Sequence, residues 1–94
     1  MREYEISDNL KRILKKLNKK NKVMYESVMD KIEEIINSPD IDHYKNLRYN
    51  MKDSKRVHVG SFVLVFSIVG DKIYFDDFDH HDKIYWVLKQ KALF

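Results

Sequence analysis

The sequence has no cysteine, two glycines, one proline and no long apolar run among its 94 residues. Without cysteine, neither disulfides nor a thiolate zinc site can hold the fold, and a reducing intracellular compartment is the natural setting. Two glycines are too few for a glycine-rich nucleotide cradle, so we expect no small-molecule cofactor. No segment approaches the roughly 20 apolar residues of a membrane span, and the charged N-terminus lacks a signal-length apolar run. These absences predict a soluble, cytoplasmic protein with no membrane partner.

Apolar side chains make up 44% of the sequence, which is enough for one hydrophobic core. A chain of this length has no room for a second core. We therefore expect residues 1–94 to form a single domain of modest stability.

The charges are clustered, although the formal net charge is only +3. Seven lysines and arginines and no acid lie between Lys11 and Lys22, and four aspartates lie between Asp76 and Asp82. A second basic cluster consists of Lys45, Arg48, Lys52, Lys55 and Arg56. Clustered cations are typical of polyanion-binding proteins, because neutralising phosphates releases counterions. For the first cluster, the alternative is a helix face that is simply solvated.

Hydrophobic periodicity predicts a strand and two helices in the N-terminal half. Residues Arg2–Ile6 alternate as in a short strand, and Ser7 or Asp8 offers a helix N-cap. The apolar stripe of the first helix is Leu10, Ile13, Leu14 and Leu17, and that of the second is Met24, Val28, Ile32, Ile35 and Ile36. Asn18–Asn21 is the expected connection, and Ser38-Pro39-Asp40 is a stop signal. Helices joined so closely should pack as an antiparallel hairpin.

The C-terminal half contains three predicted strands and a terminal helix. Residues 41–53 are expected to connect the two halves, with a short extended piece near Leu47. The predicted strands are Arg56–Val59, Phe62–Val69 and Ile73–Phe78, with a break at Gly60-Ser61 and a turn at Val69-Gly70-Asp71-Lys72. The predicted helix is Asp82–Leu93. The middle strand is apolar on both faces, which indicates a helix layer on one side and partial cover on the other. These elements predict an α+β fold, with an N-terminal strand, an antiparallel helical hairpin packed on a small, mainly antiparallel sheet, and a short C-terminal helix.

Arg56 and His58 alternate with valines, so both side chains should point away from the helix-covered face. A cation beside an imidazole on an open sheet face can bind a phosphate and move a proton. The alternative is the ordinary polar face of an antiparallel sheet, which shows the same spacing.

His80, His81 and Tyr85 follow the last predicted strand. Adjacent histidines of a strand project to opposite faces, so they are poor joint ligands, and no known ligand spacing appears. The four nearby aspartates offer an oxygen-rich cation site as the alternative, but without a ligand spacing we expect no metal site. We expect one of the two histidines to face the same surface as His58. The phenol of Tyr85 can exchange a proton or stack on a base, or it can simply pack the terminal helix.

The order of these elements, together with several short motifs, resembles the RelE/ParE superfamily of toxins from toxin–antitoxin pairs. The motifs are Asn37-Ser38-Pro39, Asn46-Leu47-Arg48, Lys55 to Gly60, Phe62 to Phe66 and His80 to Tyr85. In the family they correspond to the end of the helical hairpin, a lysine-leucine-arginine loop, two sheet strands and a closing histidine-arginine-x-x-valine-tyrosine segment. The similarity spans nearly the whole chain.

The resemblance implies a RelE-like toxin that inhibits translation by cutting ribosome-bound mRNA. The reaction would be metal-independent attack of the ribose 2′-OH on the adjacent phosphate. Its partners would be a small antitoxin, the ribosome and mRNA. Carried over by position, Arg56 would bind phosphate, and His58, His81 or Tyr85 would transfer protons. The implied RNA-binding positions are Lys45, Arg48, Lys52, Lys55 and His80.

The sequence departs from the family pattern at cationic positions. Val63 stands where the family has a strand arginine, and His81 replaces the arginine of the closing pair. Loss of one group that stabilises a transition state typically costs about 10²- to 10³-fold in rate. Two alternatives therefore stay open: a ParE-like inhibitor of a topoisomerase, and a catalytically degenerate member that only binds its antitoxin.

Overall fold

The structure, a computed structural model, describes residues 2–39, 45–46 and 54–92. In chain order the elements are β1 (Glu3–Ile6), α1 (Asp8–Lys20), α2 (Lys22–Asn37), β2 (Lys45–Asn46), β3 (Ser54–Val59), β4 (Phe62–Val69), β5 (Lys72–His80) and α3 (His81–Ala92). Among these residues, no helix is long and apolar enough to cross a membrane.

The five strands form one mixed sheet in the order β1-β5-β4-β3-β2. Strand β1 is parallel to β5, and every other pairing is antiparallel. Two-residue turns, Gly60-Ser61 and Gly70-Asp71, join β3 to β4 and β4 to β5. The two glycines have φ values of +63° and +62°, a left-handed conformation that side chains disfavour and tight hairpins require. The predicted break and the predicted turn are therefore confirmed.

Helices α1 and α2 are joined by a single residue, Asn21. Its backbone N–H donates to the carbonyl of Leu17 at 2.8 Å, and its side-chain oxygen accepts from the N–H of Met24 at 3.2 Å. One residue thus ends the first helix and caps the second. The predicted connection Asn18–Asn21 was too long, because α1 continues to Lys20. The predicted N-cap is confirmed as Ser7, whose Oγ accepts from the N–H of Leu10 at 3.0 Å.

The main core lies between the helical hairpin and one side of the sheet, which we call the hairpin face. Its largest fully buried side chains include Leu10, Ile35, Leu64, Phe66 and Phe75. The predicted helix stripes supply the upper layer, and alternate residues of β4 and β5 supply the lower layer. This arrangement follows from helix and strand periodicity in an amphipathic α+β fold.

The opposite side of the sheet, which we call the α3 face, carries a smaller apolar cluster. Val63, Val65 and Ile84 are buried there, with Tyr85 packed against them. Helix α3 is therefore the second cover that the doubly apolar strand β4 required, and that prediction is confirmed.

The predicted α+β fold is confirmed, with small differences in the bounds of its elements. Strand β3 begins at Ser54 and β5 ends at His80, each two residues beyond the predicted limit. The short extended piece appears as β2, just before Leu47, which itself lies outside the described residues.

Candidate functional site

Arg56 of β3 and Tyr85 of α3 meet on the α3 face. The guanidinium carbon of Arg56 lies 5.1 Å from the centroid of the Tyr85 ring, a cation–π distance. Strand alternation explains the position of Arg56, because Val57 and Val59 pack toward the hairpin core. Tyr85 reaches Arg56 because Ile84 anchors the first turns of α3 on Val63 and Val65. The structure thus brings together two of the four predicted catalytic residues.

Each member of this pair holds a buried polar atom that has no hydrogen-bond partner among the described residues. The atoms are Nε of Arg56 and Oη of Tyr85. Most buried polar groups in proteins are satisfied, and an unsatisfied one costs about 1–3 kcal/mol. A guanidinium donates to phosphate oxygens, and a phenol both donates and accepts. The pair therefore has unused capacity for an oxyanion, and no signal in the sequence showed it.

His58 lies on the same face as Arg56, two residues further along β3, and its side chain is exposed. Its orientation away from the hairpin was predicted correctly. Across the described residues, no hydrogen bond or ion pair joins His58 to Arg56, Tyr85 or the other two described histidines. His58 therefore offers a free imidazole at the edge of the site.

The strand register distributes charge unevenly across the α3 face, with different signs on β3 and β5. One row across the sheet pairs Arg56 with Val65 and Asp77, and the next pairs His58 with Val63 and Asp79. Cationic or titratable groups lie on β3, valines on β4 and aspartates on β5. An anionic ligand is thus attracted to the β3 side and repelled from β5.

Partial burial raises the pKa of the Asp76 carboxyl. A hydrogen bond from Ser67 Oγ, at 3.5 Å, opposes this shift, and the charge of Asp77 adds to it. Asp76 is on the strand of aspartates, away from Arg56, so this pKa bears on stability rather than on phosphate binding.

His80 and His81 lie together at a different corner, where β5 passes into α3. Their ring centroids are 4.5 Å apart. The expectation that they project to opposite faces was wrong, because β5 ends at His80 and α3 begins at His81, so strand alternation does not apply. His80 also packs edge-on against Phe62, whose side chain belongs to the hairpin face.

His81 is held by two contacts in this corner. Its Nδ1 is 3.1 Å from the carbonyl oxygen of Ser61, and its Nε2 is 2.9 Å from Oδ1 of Asp82. Among the described residues, no contact joins His81 to Arg56 or Tyr85. Sequence reasoning missed Ser61, because its contribution is a backbone carbonyl that no residue type reveals.

The predicted RNA-binding positions fall in different places. Lys55 pairs with Phe66 in the sheet register, which places it on the hairpin face, opposite Arg56. Lys45 pairs with Arg56 at the backbone level, so β2 brings a predicted position alongside the site. Arg48 and Lys52 lie outside the described residues.

Val63, which replaces the family arginine, is fully buried beneath Ile84. It lies between His58 and Asp79 in the register. At this position the chain has an apolar contact for α3 in place of a cation.

Comparison with known proteins identifies the family. The ParE toxin family of type II toxin-antitoxin systems, parDE, matches residues 4–85 of the chain. A protein of Methanocaldococcus jannaschii named "Putative toxin RelE4" is 47% identical over 97 residues, covering 100% of this chain and 98% of the relative. The fold and these matches define a small toxin of the type II class. The chain belongs to the RelE/ParE superfamily.

Two solved structures share the fold at low sequence identity. YafQ from E. coli superimposes with a TM-score of 0.70 at 18% identity, covering 90% of this chain and 99% of YafQ. A mutant of E. coli toxin RelE in complex with an antitoxin RelBc peptide gives a TM-score of 0.63 at 18% identity, covering 92% of each chain. The RelE-like fold predicted from the sequence is confirmed.

Proposed function

We propose that this toxin is an endoribonuclease that cleaves ribosome-bound mRNA in the cytoplasm and thereby inhibits translation. The observation that supports this function is the Arg56–Tyr85 pair, in which two buried polar atoms, Nε and Oη, have no partner in the described part of the chain. In this proposal residues 1–94 act as one toxin domain.

The reaction is attack of a ribose 2′-oxygen on the adjacent phosphorus. An O2′–P bond forms, the P–O5′ bond breaks, and a 2′,3′-cyclic phosphate and a 5′-hydroxyl result. A base takes the 2′-hydroxyl proton, and an acid returns a proton to the leaving 5′-oxygen. Negative charge accumulates on the equatorial phosphate oxygens, where a fixed cation stabilises it most.

Arg56 is the cation in this proposal, since its guanidinium lies on the β3 side of the α3 face and retains an unused donor. Tyr85 and His58 are the proposed proton carriers, because one contacts Arg56 and the other is exposed two residues away on the same strand face. His81 is a less direct candidate, because both of its ring nitrogens already have neighbours at the Ser61 corner. Lys45, Arg48, Lys52, Lys55 and His80 remain the proposed RNA-binding positions.

The proposed partners are the ribosome, its mRNA and a small antitoxin. Membership of a toxin–antitoxin family supports the antitoxin, as does the RelE structure that contains an antitoxin peptide. The charge of the β3 side supports RNA, because a polyanion gains most where cations cluster.

The test uses Arg56→Gln and Tyr85→Phe, which remove a charge and a hydroxyl while keeping most of the packing. We expect growth arrest and mapped mRNA cleavage to fall by about 10²- to 10³-fold for Arg56→Gln. For Tyr85→Phe we expect a loss of about 10²- to 10⁴-fold. Arg2→Gln and Tyr4→Phe, which lie at β1 away from this face, are matched controls and should cleave normally.

Expression with and without the neighbouring antitoxin gene separates the alternatives. Cleavage that persists undiminished in both Arg56→Gln and Tyr85→Phe contradicts the proposed roles. DNA damage without mRNA cuts identifies a ParE-like topoisomerase inhibitor, which the buried Val63 in place of an arginine favours. Absence of any growth effect identifies a member that only binds its antitoxin.

A further inference from the structure

We propose that His80, His81 and Asp82 form a binding site for a divalent transition metal ion of the zinc class. Their ligand atoms lie within 4.8 Å of one another at the junction of β5 and α3. The site is separate from the Arg56–Tyr85 pair, and the cleavage reaction proposed above uses no metal.

The Asp82 carboxylate lies near one ring nitrogen of each histidine. Its Oδ1 is 2.9 Å from Nε2 of His81, and its Oδ2 is 3.7 Å from Nδ1 of His80. Zinc binds nitrogen and carboxylate oxygen at about 2.0–2.2 Å, so tetrahedral donor atoms are separated by roughly 3.4 Å. The two observed separations lie on either side of that value. One ligand atom from each residue lies within 4.8 Å of the other two, so the side chains must rotate closer together to reach a common metal ion.

The backbone contacts determine which ring nitrogens carry lone pairs. The Ser61 carbonyl can only accept, so the His81 Nδ1 that lies 3.1 Å from it carries a proton. In the neutral ring, the lone pair of His81 is then on Nε2, toward Asp82. The backbone N–H of Asp82 donates to Nδ1 of His80 at 3.3 Å, so that nitrogen carries no proton, and it coordinates a metal ion only by giving up this hydrogen bond.

In this tautomer the lone pair of His81 Nε2 faces the Asp82 carboxylate at 2.9 Å, and a positive centre, either a proton or a metal ion, relieves their repulsion. A metal ion supplies that centre with three ligands at once. The Ser61 carbonyl performs the orienting role that a backbone oxygen commonly has behind a metal-bound histidine. Imidazole and carboxylate together suit zinc, copper or nickel better than magnesium, which prefers octahedral oxygen ligands.

The site is accessible to ions from solution. The side chains of His80, His81 and Asp82 are 43%, 42% and 79% exposed. The nearest lysine in sequence, Lys83, directs its ammonium to Asp79 at 3.4 Å. A bound ion would connect the last residue of β5 to the first turn of α3, the helix that carries Tyr85, and should therefore stabilise the folded protein.

The test is calorimetric titration of the full, untagged chain with zinc chloride after chelator treatment, with magnesium chloride as the comparison ion. We expect saturable binding of one zinc ion, no magnesium binding, and a thermal midpoint that rises with zinc concentration. Loss of an orienting partner alone weakens metal affinity about 10- to 100-fold. Each of His80→Ala, His81→Ala and Asp82→Asn removes a ligand and should therefore weaken zinc affinity at least about tenfold.

His58→Ala is the matched control, because it also removes an imidazole but lies two strands from β5, at about 10 Å. Its zinc affinity should equal that of the wild type. Circular dichroism shows whether each variant is folded. If a histidine variant does not fold, Asp82→Asn still tests the site, because this substitution barely changes the shape of the side chain. Full affinity in any folded ligand variant overturns the site, as does absence of saturable zinc binding in the wild type.

Discussion

At the residue scale, Asp76 shows how one irregular position carries an electrostatic cost. The pairing of β4 with β5 shifts between Val65 and Phe66, which face Asp77 and Phe75, so Asp76 is an extra residue in β5. Ser7 of the β1–α1 junction donates its hydroxyl to the Asp76 carbonyl at 2.7 Å. The bulge thus anchors the start of α1, and it places a carboxylate where burial raises its pKa above the usual 3.8.

Asp76→Asn should stabilise the protein at neutral pH and not under acidic conditions. The folded protein binds the Asp76 proton more tightly than the unfolded chain, so this group opposes folding more as pH rises through its raised pKa. Well below pH 3.8 the carboxyl is protonated in both states, and the part of the stability difference that comes from its charge should vanish. Urea denaturation over a pH series measures this difference.

Asp30→Asn, an exposed carboxylate of α2, makes the same change in net charge and is the control. Equal gains in the two variants, or an Asp76→Asn gain that does not shrink as pH falls, would contradict the effect of burial.

At the element scale, the helical hairpin depends on one side chain for its sharp reversal. Asn21 has a φ of −148°, an extended conformation that any residue adopts, so its role is not conformational. It contributes a side-chain oxygen to the start of α2 while its backbone N–H closes α1. A helix of 13 residues and one of 16 thereby meet with no intervening loop.

Asn21→Ala should therefore lower the free energy of unfolding by about 0.5–2 kcal/mol, the usual cost of losing an N-cap. Chemical denaturation monitored by circular dichroism measures the change. Asn18→Ala, an exposed position inside α1, makes the same substitution without removing a cap and should stay within about 0.5 kcal/mol of the wild type. If the two variants lose equal stability, capping is not the role of Asn21.

At the scale of the whole molecule, positive charge lies on both layers of the fold. Helix α1 presents lysines on its exposed surface above the hairpin face, whereas Arg56 lies on the opposite, α3 face. A single flat surface cannot contact both. If both contact RNA, the lysines of α1 add affinity that does not depend on the RNA sequence, and they take no part in cleavage. Arg56 then acts at the phosphate that is cleaved.

Replacing Lys15, Lys16, Lys19 and Lys20 with glutamine should weaken ribosome binding and its dependence on salt. Each phosphate contact contributes roughly 0.7–0.9 to the slope of log affinity against log salt, so removing four lysines should lower the magnitude of the slope by up to about 3 to 4. Arg56→Gln, which removes one cation, should change the slope by about 1 or less. Binding measured across a salt series makes the comparison. An unchanged slope in the lysine variant would show that the α1 face is only solvated.

Local patterns were sufficient to predict most of the elements. The stripes of α1 and α2, the alternation of β3 and the glycine turns each reflect the geometry of a few consecutive residues, and the structure has them where expected. The predicted length of the α1–α2 connection was wrong, because Asn21 ends α1 and caps α2 at the same time, and this double role depends on both helices. The sequence predicted that something covers the second face of β4, because Val63 and Val65 required burial. It did not identify α3 as the element that covers this face.

Sequence therefore determined the fold class and the orientation of Arg56 and His58, because these depend on periodicities of 3.6 and 2 residues. Only the tertiary structure placed Tyr85 next to Arg56, 29 positions away in sequence, and left the Arg56 Nε and Tyr85 Oη atoms without a partner among the described residues. It likewise joined His80 and His81 to Asp82 and Ser61, at a corner where a strand becomes a helix and neither periodicity holds. Both arrangements depend on how α3 packs against the sheet, and that packing is set by long-range apolar contacts that no local pattern contains.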